Sequence, residues 1–329
     1  MPFQNVFDIR IRMKLKVTAQ NNIESYYGHG KLLITGEYFV LDGAKALAVP
    51  TKFGQTLRVT TLHAESNLLY WVALNNQGKP WLNLVFDTTD FTCINAKQDE
   101  AVRLTKILQQ ARQLNPDFLS SSKDVAVETR LEFPNEWGLG TSSTLIHCVA
   151  TWAKVDGYQL LKNTIGGSGY DVACAAADTA IVYQLNNGNA ESLPVNWNPA
   201  FKDNIYFAYL GKKQLSSEGI QYYRTKLDDK TYATAELNKI TDAMLLCNDL
   251  NEFESLVNAH EELIATQLKM SKVKDLLFAD YWGTVKSLGA WGGDFVMLTN
   301  TKGVDDLKAY LNEKSISIVF SWNELLLPE

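Results

Sequence analysis

The interpretation of this chain is decided by the stretch Gly138-Leu139-Gly140-Thr141-Ser142-Ser143. It follows residues 125–133, which alternate like a β-strand, and it opens residues 142–155, whose apolar spacing predicts a helix. A glycine turn between a strand and a helix brings free backbone N–H groups and the positive end of the helix dipole together, which favours phosphate binding. Ser142 adds a hydroxyl that suits a magnesium ion. The alternative is a serine N-cap after a flexible turn, which is common in proteins of every kind.

Two further glycine turns occur, at 166–169 and 289–293. Taken alone, each turn is as consistent with ordinary loop geometry as with a binding site. The patterns GxxxxGK[ST] and GxGxxG are both absent from the sequence. P-loop and Rossmann nucleotide sites therefore have no support.

The composition is that of an ordinary globular protein, with 329 residues, 46% hydrophobic and 21% charged. The net charge of -6 argues against polyanion binding, so we expect no nucleic-acid partner. No run approaches 18 apolar residues, so we expect no membrane-spanning helix. The four cysteines lie far apart, without the paired spacing of a zinc site or the density of a disulfide scaffold, which favours a cytoplasmic location.

The order of elements predicts an α+β protein of two domains, 1–195 and 196–329, because polar and turn-forming residues fill the region 190–203. Helical spacing predicts helices at 100–114, 142–155, 172–179, 232–246, 252–270, 273–287 and 304–312. Strands are expected at 31–41, 44–49, 57–61, 68–74, 81–86, 125–133, 180–185, 205–210, 295–299 and 317–320. The strand at 44–49 is expected to end at Pro50.

Three segments of the chain form an ordered set of motifs. The first motif is Gly30-Lys31-Leu32-Leu33-Ile34-Thr35-Gly36-Glu37-Tyr38. The second begins at Pro134 and contains the glycine stretch quoted above. The third is Lys286-Ser287-Leu288-Gly289-Ala290-Trp291-Gly292-Gly293-Asp294.

In this order, the three motifs resemble those of the GHMP kinase superfamily, which comprises the galacto-, homoserine, mevalonate and phosphomevalonate kinases. The resemblance covers nearly the whole chain and implies an N-terminal domain like ribosomal S5 domain 2, a ferredoxin-like C-terminal domain, and ATP with Mg²⁺ as cofactors.

The resemblance also implies roles for single residues. Asp171, in Ser168-Gly169-Tyr170-Asp171, matches the catalytic aspartate that accepts or orients the acceptor's proton. Lys31 matches the catalytic lysine, whose charge would stabilise the acceptor oxygen beside that aspartate. ATP binding is implied for Gly138, Leu139, Gly140, Thr141, Ser142 and Ser143, and Ser142 is also the implied metal ligand. Substrate binding is implied for Glu37, Ser168, Gly169, Gly289, Gly292 and Gly293.

The charged candidates also have ordinary structural interpretations. An aspartate before an apolar helix, such as Asp171, is commonly an N-cap. Lys31 also fits a surface lysine at the start of a strand, and Glu37 fits a structural ion pair about as well as a substrate ligand. Lys212, which follows the strand predicted at 205–210, fits solvated surface better than an anionic substrate.

Two positions depart from the family pattern. Many mevalonate kinases carry a magnesium-binding glutamate eight residues before the serine of the aspartate segment, and here that position is Leu160. Asp156 is the one acid between Ser143 and Asp171, so it is the alternative metal ligand. Trp291 replaces a glycine of the third motif, and its bulky ring stands where the family keeps the backbone open. Nucleotide affinity is the property that this replacement puts in doubt.

The sequence therefore predicts an enzyme, an ATP-dependent kinase that transfers the γ-phosphoryl group to a small soluble acceptor. The segment 167–173 and the ending Gly292-Gly293-Asp294 look most like phosphomevalonate kinase, with mevalonate kinase next. A sugar kinase of the same superfamily, or a GHMP-fold binding or regulatory protein with impaired catalysis, is the alternative. We expect a small-molecule substrate as the partner, and a monomer or homodimer.

Overall fold

The computed structural model describes residues 23–212, 216–226, 230–289, 291 and 294–327. Within those ranges the α-helices are α1 (Asp99–Leu114), α2 (Thr141–Ala153), α3 (Gly157–Thr164), α4 (Tyr170–Ala175), α5 (Ser216–Lys226), α6 (Thr231–Leu246), α7 (Leu250–Leu268), α8 (Val273–Leu277), α9 (Val304–Glu313) and α10 (Trp322–Leu325). The β-strands are β1 (Ile23–Leu33), β2 (Ala46–Thr61), β3 (Leu68–Leu74), β4 (Pro80–Asp87), β5 (Val125–Leu131), β6 (Ile181–Asn186), β7 (Asn189–Pro194), β8 (Ile205–Tyr209), β9 (Val285–Leu288), β10 (Phe295–Thr299) and β11 (Val319–Ser321). Among these helices, none has the length and apolar character needed to cross a membrane.

The chain forms two compact units, and each is assembled from several chain segments. The described part of the first unit comprises 23–28, Phe53–Pro134 and Thr141–Val172. The second unit comprises His29–Lys52, Asn135–Gly140 and the described residues from Ala173 onward. This grouping differs from the predicted domain bounds of 1–195 and 196–329, which stay a prediction.

In the first unit, the strands lie in the order β4-β3-β5-β2. β3 pairs antiparallel with β4 and parallel with β5, and β5 pairs antiparallel with β2. Helices α1, α2 and α3 pack against one another and share an apolar core with alternate residues of the strands. The residues that α1 buries are those predicted from its spacing, namely Ala101, Leu104, Ile107, Leu108 and Ala111.

In the second unit, an antiparallel sheet has the strand order β11-β8-β10-β9. Helices α8 and α9 bury apolar side chains against this sheet. The N-terminal part of β2 pairs with β6, and β6 pairs with β7. A second apolar cluster contains Phe39, Tyr223 and Trp291, so it joins the segment after β1 to the helical part of the unit and to the third motif.

The predicted helix at 273–287 is wrong beyond its start. Helix α8 ends at Leu277, and Val285–Leu288 form β9, which pairs antiparallel with β10. Gly283 packs against the backbone carbonyl of Thr299 so closely that a side chain would not fit there. Pairing with the neighbouring strand therefore overrides the helical spacing of the local sequence.

The predicted end of a strand at Pro50 is also wrong, because β2 continues through the proline to Thr61. Proline removes one N–H donor, which a strand tolerates where no ladder bond needs that donor. The carbonyl of Pro50 still accepts a hydrogen bond from the backbone N–H of Leu327 (3.2 Å). The next residue, Thr51, forms an antiparallel bridge with Leu326. The last described residues of the chain therefore supply pairing for β2 at the proline.

Candidate active site

The three motifs meet at Gly138, within the second unit. The backbone N–H of Lys31 donates to the carbonyl of Leu139, and the Lys31 ammonium donates to the carbonyl of Gly138, both at 3.0 Å. The carboxylate of Asp294 lies on the other side of Gly138, where a Cβ atom would be 2.6 Å from Oδ1 and closer still to Cγ and Oδ2. The first motif therefore fixes the glycine turn by hydrogen bonds, and the third motif packs against it.

The glycine turn has a backbone shape that depends on its glycines. Gly138 and Gly140 have φ of 67° and 96°, in the left-handed region where a side chain is strained. Leu139, between them, is fully buried and anchors the turn. On the N-terminal side, the ring of Trp137 packs against Tyr209, Phe295 and Phe320, which belong to β8, β10 and β11.

Helix α2 begins directly after this turn and belongs to the first unit. Thr144 secures its first turn, because the threonine hydroxyl bonds to the side-chain oxygen of Gln55 on β2 (2.7 Å). Ser143 is buried, so its side chain is not open to a solvent-borne ligand. Ser142 is exposed, and Thr141 is half-buried. Ser142 is thus an accessible hydroxyl at the N-terminus of a 13-residue helix.

Asp171 lies in the first turn of α4, after a run of glycines. Gly166, Gly167 and Gly169 all have positive φ, so the backbone reaches α4 through a turn that favours glycine. The Asp171 carboxylate is half-buried, and its Oδ1 accepts from the N–H of Val172 (3.0 Å). Asp171 stands inside the helix rather than before it, so it is not the N-cap that the sequence left open. Its catalytic role, like that of Lys31, stays a prediction.

Glu37 lies in a cluster of four buried charged or titratable side chains in the second unit. Its Oε1 accepts from the ammonium of Lys286, and its Oε2 lies 3.0 Å from Nε2 of His260. Lys286 also donates to Oε1 of Glu261 (3.3 Å) and to the carbonyl of Ser287 (3.0 Å), which gives its three N–H groups three acceptors. We call Glu37, Lys286, His260 and Glu261 the charge cluster.

Electrostatic attraction within the charge cluster outweighs burial. Burial alone would raise the pKa of Glu37, but attraction to Lys286 and then His260 leaves the pKa of this carboxyl below its ordinary value. Glu37 is therefore ionised in the folded protein. The ion-pair interpretation of Glu37 is the one seen here, and substrate binding by Glu37 stays a prediction.

Sequence reasoning did not find the partners of Glu37. Lys286 opens the third motif and Glu261 lies on α7, and neither is close to Glu37 in sequence. A buried lysine needs a buried acid, but the sequence does not say which acid. Of the remaining predicted residues, Gly289 has φ of 77° and lies close to Asp294, whereas Gly292 and Gly293 lie outside the described residues.

The two departures from the family pattern are both core residues. Leu160 is fully buried in the apolar core of the first unit, so its side chain is not available to a metal. Asp156 caps α3, accepting from the N–H of Gln159 (2.8 Å). Trp291 is 3% exposed, and its ring packs in the cluster that contains Phe39 and Tyr223. The indole is therefore taken up by the core of the second unit.

No protein-family profile and no curated protein sequence matches this chain. Solved structures do resemble it. The mevalonate kinase of Methanococcus jannaschii is 17% identical, with a TM-score of 0.67 over 94% of this chain and 100% of that one. The galactokinase of Lactococcus lactis, complexed with galactose, is 13% identical, with a TM-score of 0.69 over 99% and 98%. The phosphomevalonate kinase of Streptococcus pneumoniae, in complex with phosphomevalonate and AMPPNP, is 14% identical, with a TM-score of 0.65 over 91% and 99%.

The chain therefore has the fold that these three kinases share, and the predicted α+β fold is confirmed. The three neighbours act on different acceptors by their names, although they share one fold. The fold alone therefore does not identify the reaction or the acceptor, and both have to be inferred from the residues of the site.

Glu37→Gln should destabilise the protein strongly, because it leaves the buried Lys286 with one carboxylate in place of two. Removing one partner of a buried ion pair typically costs about 3–5 kcal/mol of unfolding free energy. Urea denaturation at neutral pH measures this loss. Glu262→Gln, which removes an exposed partner of Lys272, is the matched control and should leave the unfolding midpoint unchanged. A Glu37→Gln protein as stable as the wild type would contradict the account.

The same comparison has a defined pH dependence. Because the pKa of Glu37 is lowered in the folded state, its stabilising contribution is fully present above the ordinary pKa of about 4.5 and is lost as pH falls through the lower folded value. The stability difference between wild type and Glu37→Gln should therefore shrink only below about pH 4.5.

Gly138→Ala should disturb the site more than a substitution at another glycine of similar φ. Alanine at 138 meets both an unfavourable φ and the Asp294 carboxylate, whereas a Cβ added at Gly78, with φ of 71°, would have no atom within 4 Å. We expect Gly78→Ala to cost about 1 kcal/mol and Gly138→Ala clearly more. Thermal unfolding of both variants measures the difference. An equal loss in both would show that Asp294 does not crowd Gly138.

Proposed function

We propose that this protein is an ATP-dependent kinase of the GHMP type, which transfers a γ-phosphoryl group to a small soluble acceptor. The observation that carries the proposal is the meeting of three motifs at Gly138. Lys31 holds the glycine turn by two hydrogen bonds, and Asp294 packs against it. An ordinary loop would not require two distant segments of the chain to hold two left-handed glycines at the start of a helix.

The glycine turn and the start of α2 are proposed to bind the phosphates of ATP. The first backbone N–H groups of a helix have no partner inside the helix, and the dipole of α2 favours an anion there. Ser142 is exposed at this point and is the proposed ligand of Mg²⁺. When bound, the ion would neutralise the charge of the phosphate oxygens.

The residues present fit a magnesium ion held mostly by phosphates and water. In the described part of the chain, no group of three or more His, Cys, Asp or Glu side chains is placed to hold a metal. Magnesium keeps several waters and takes few protein ligands when phosphates are present, so a single hydroxyl ligand is physically reasonable. Such a site is expected to bind the free ion weakly.

Asp171 is proposed to act on the acceptor. With a hydroxyl acceptor, the proton of the attacking oxygen passes to the Asp171 carboxylate; with a phosphate acceptor, whose oxygen is already deprotonated, Asp171 would orient the acceptor. In both cases the bond from the γ-phosphorus to the bridging oxygen breaks to release ADP. The partial burial of Asp171 and its anchoring by the Val172 N–H support a fixed carboxylate. Lys31 is proposed to stabilise the charge that develops during transfer.

A substrate of the mevalonate pathway, phosphomevalonate or mevalonate, is the proposed acceptor. The segment 167–173 and the ending of the third motif support it, together with the fold likeness to a mevalonate kinase and a phosphomevalonate kinase. A sugar is the alternative, since a galactokinase has the same fold. A binding or regulatory protein with impaired catalysis is favoured by one observation, the burial of Leu160 where relatives carry a metal ligand.

A reducing compartment, and hence the cytoplasm, is proposed for this enzyme. All four cysteines are free thiols, and three of them are buried. A monomer or homodimer is the proposed assembly.

The kinase proposal is tested by ADP formation from ATP and Mg²⁺ in the presence of mevalonate, phosphomevalonate, galactose and homoserine, each in turn. We expect turnover with one acceptor, and Asp171→Asn should lower it about 10²- to 10⁴-fold, the scale for losing a positioned acid–base group. Asp178→Asn, at an exposed aspartate nearby, is the matched control and should retain full activity. Turnover by a folded Asp171→Asn protein at the wild-type rate would remove Asp171 from the mechanism.

Ser142→Ala should raise the magnesium concentration needed for half-maximal activity, because it removes the proposed protein ligand while the phosphates still bind the ion. A titration of activity against free Mg²⁺ at saturating ATP measures this midpoint. Ser121→Ala removes an exposed serine elsewhere in the first unit and should leave the midpoint unchanged. An unshifted midpoint in Ser142→Ala would mean that the hydroxyl does not bind the metal.

A further inference from the structure

A cavity of about 430 Å³ lies within the second unit, beside the third motif. Its apolar wall is formed by Leu210, Met270, Val273, Leu276, Leu277 and Trp291. Small-molecule sites typically have volumes of about 300–1,000 Å³ and mostly apolar walls with a few polar groups. Both the size and the wall of this cavity match that class of site.

Two leucines of α8 show that the cavity wall is not simply a part of the core. Leu276 and Leu277 are 65% and 49% exposed, although both line the cavity. Contiguous exposed apolar surface of this kind is a mark of a binding site. The cavity therefore offers apolar surface that the described residues leave accessible.

The polar groups of the cavity define the charge of its ligand. Lys212, at the end of β8, lines the cavity and is exposed, and it has no ion-pair partner among the residues that the structure describes. Ser271 and Ser287 add hydroxyl-bearing residues to the lining. No carboxylate lines the cavity within the same described set. A lysine beside an apolar wall, with no ion-pair partner among the described residues, favours a ligand with one anionic group.

Trp291 adds apolar surface to the cavity. Part of its ring lines the cavity, although the residue is only 3% exposed. Its Nε1 is fully buried and therefore does not face a ligand in the cavity. The polar contacts of a ligand consequently fall to Lys212 and the two serines.

We propose that this cavity is a binding site for a small amphipathic anion, with an apolar body against the leucines and the indole and one acidic group paired with Lys212. A free sugar does not fit, because the apolar wall would leave its hydroxyl groups without partners. A free phosphate does not fit either, since it has no apolar body to cover Leu276 and Leu277. This proposal is independent of the proposed kinase activity, because it is argued only from the residues that line the cavity.

The cavity is connected to the glycine turn by short contacts within the same unit. The carbonyl of Lys212 accepts from the N–H of Asp294 (2.7 Å), and the carboxylate of Asp294 packs against Gly138. Ser287 is held by its N–H, which donates to Oε2 of Glu261 in the charge cluster (3.1 Å). The walls that contact the ligand are therefore firmly positioned.

Titration of the full chain with 8-anilinonaphthalene-1-sulfonate tests the proposal, because this dye has an apolar body, one anionic group and a fluorescence that rises in apolar surroundings. We expect saturable binding by the natively folded protein and displacement by octanoate, a carboxylate with an apolar chain. Lys212→Gln should weaken dye affinity about five- to ten-fold, the scale for losing one charge-assisted contact of about 1 kcal/mol or slightly more. Leu276→Asp should weaken it further, since it adds a like charge to the wall.

Both substituted residues are exposed, so these variants are expected to fold, and circular dichroism checks this. Lys308→Gln, which removes an exposed lysine on α9 that does not line the cavity, is the matched control and should bind the dye like the wild type. Saturable binding that is weakened by Lys212→Gln and Leu276→Asp, but not by Lys308→Gln, supports the site. The absence of saturable binding, or equal affinity in all variants, overturns it.

Discussion

The ion pair between Glu37 and Lys286 is the constraint on which the second unit's part of the candidate site depends. It joins the first motif to the third across most of the chain's length, and both side chains are fully buried. Burying two charges is costly, and the cost is met only when each charge finds close partners. Glu261 and His260 supply these partners from α7, so the cluster fixes two motifs and one helix together. Lys31 and Asp294, at the far ends of the same two motifs, are consequently held on either side of Gly138.

The fold was predictable where the local pattern and the tertiary partner agree. The spacing of Ala101 to Ala111 predicts a helix with one apolar face, and the first unit has an apolar core for that face to cover. The helix predicted at 273–287 is wrong, because residues 285–288 pair as β9 with β10. The spacing of apolar residues within 273–287 gives no sign of this partner strand. Helices α3 and α5 and strand β7 were not predicted. Helix α3 has only eight residues, and β7 is mostly exposed, so its sequence lacks the alternation of a half-buried strand.

The candidate site was predictable from the sequence only as a set of residues. The motifs contain Lys31, Gly138 and Asp294, of which Asp294 was not predicted as a site residue, and nothing in their spacing says that the Lys31 ammonium bonds to the Gly138 carbonyl. Glu37 illustrates the limit most clearly. A glutamate beside a glycine fits a substrate ligand as well as an ion pair, and only the position of Lys286 shows that its carboxylate is engaged in the fold.

A family position keeps its role only if the backbone turns the side chain towards the same surroundings. Leu160 stands where the sequence resemblance implies a metal-binding acid, but here it completes the apolar core of the first unit, where an ionised carboxylate would lose its hydration without gaining a partner. Asp156 is exposed and its Oδ1 caps α3, and its role as the alternative metal ligand stays a prediction. Under the proposed function, the phosphates and water would supply most of the six oxygens that magnesium requires. The protein would then have to hold the phosphates, and the glycine turn that Lys31 and Asp294 contact is the segment proposed for that task.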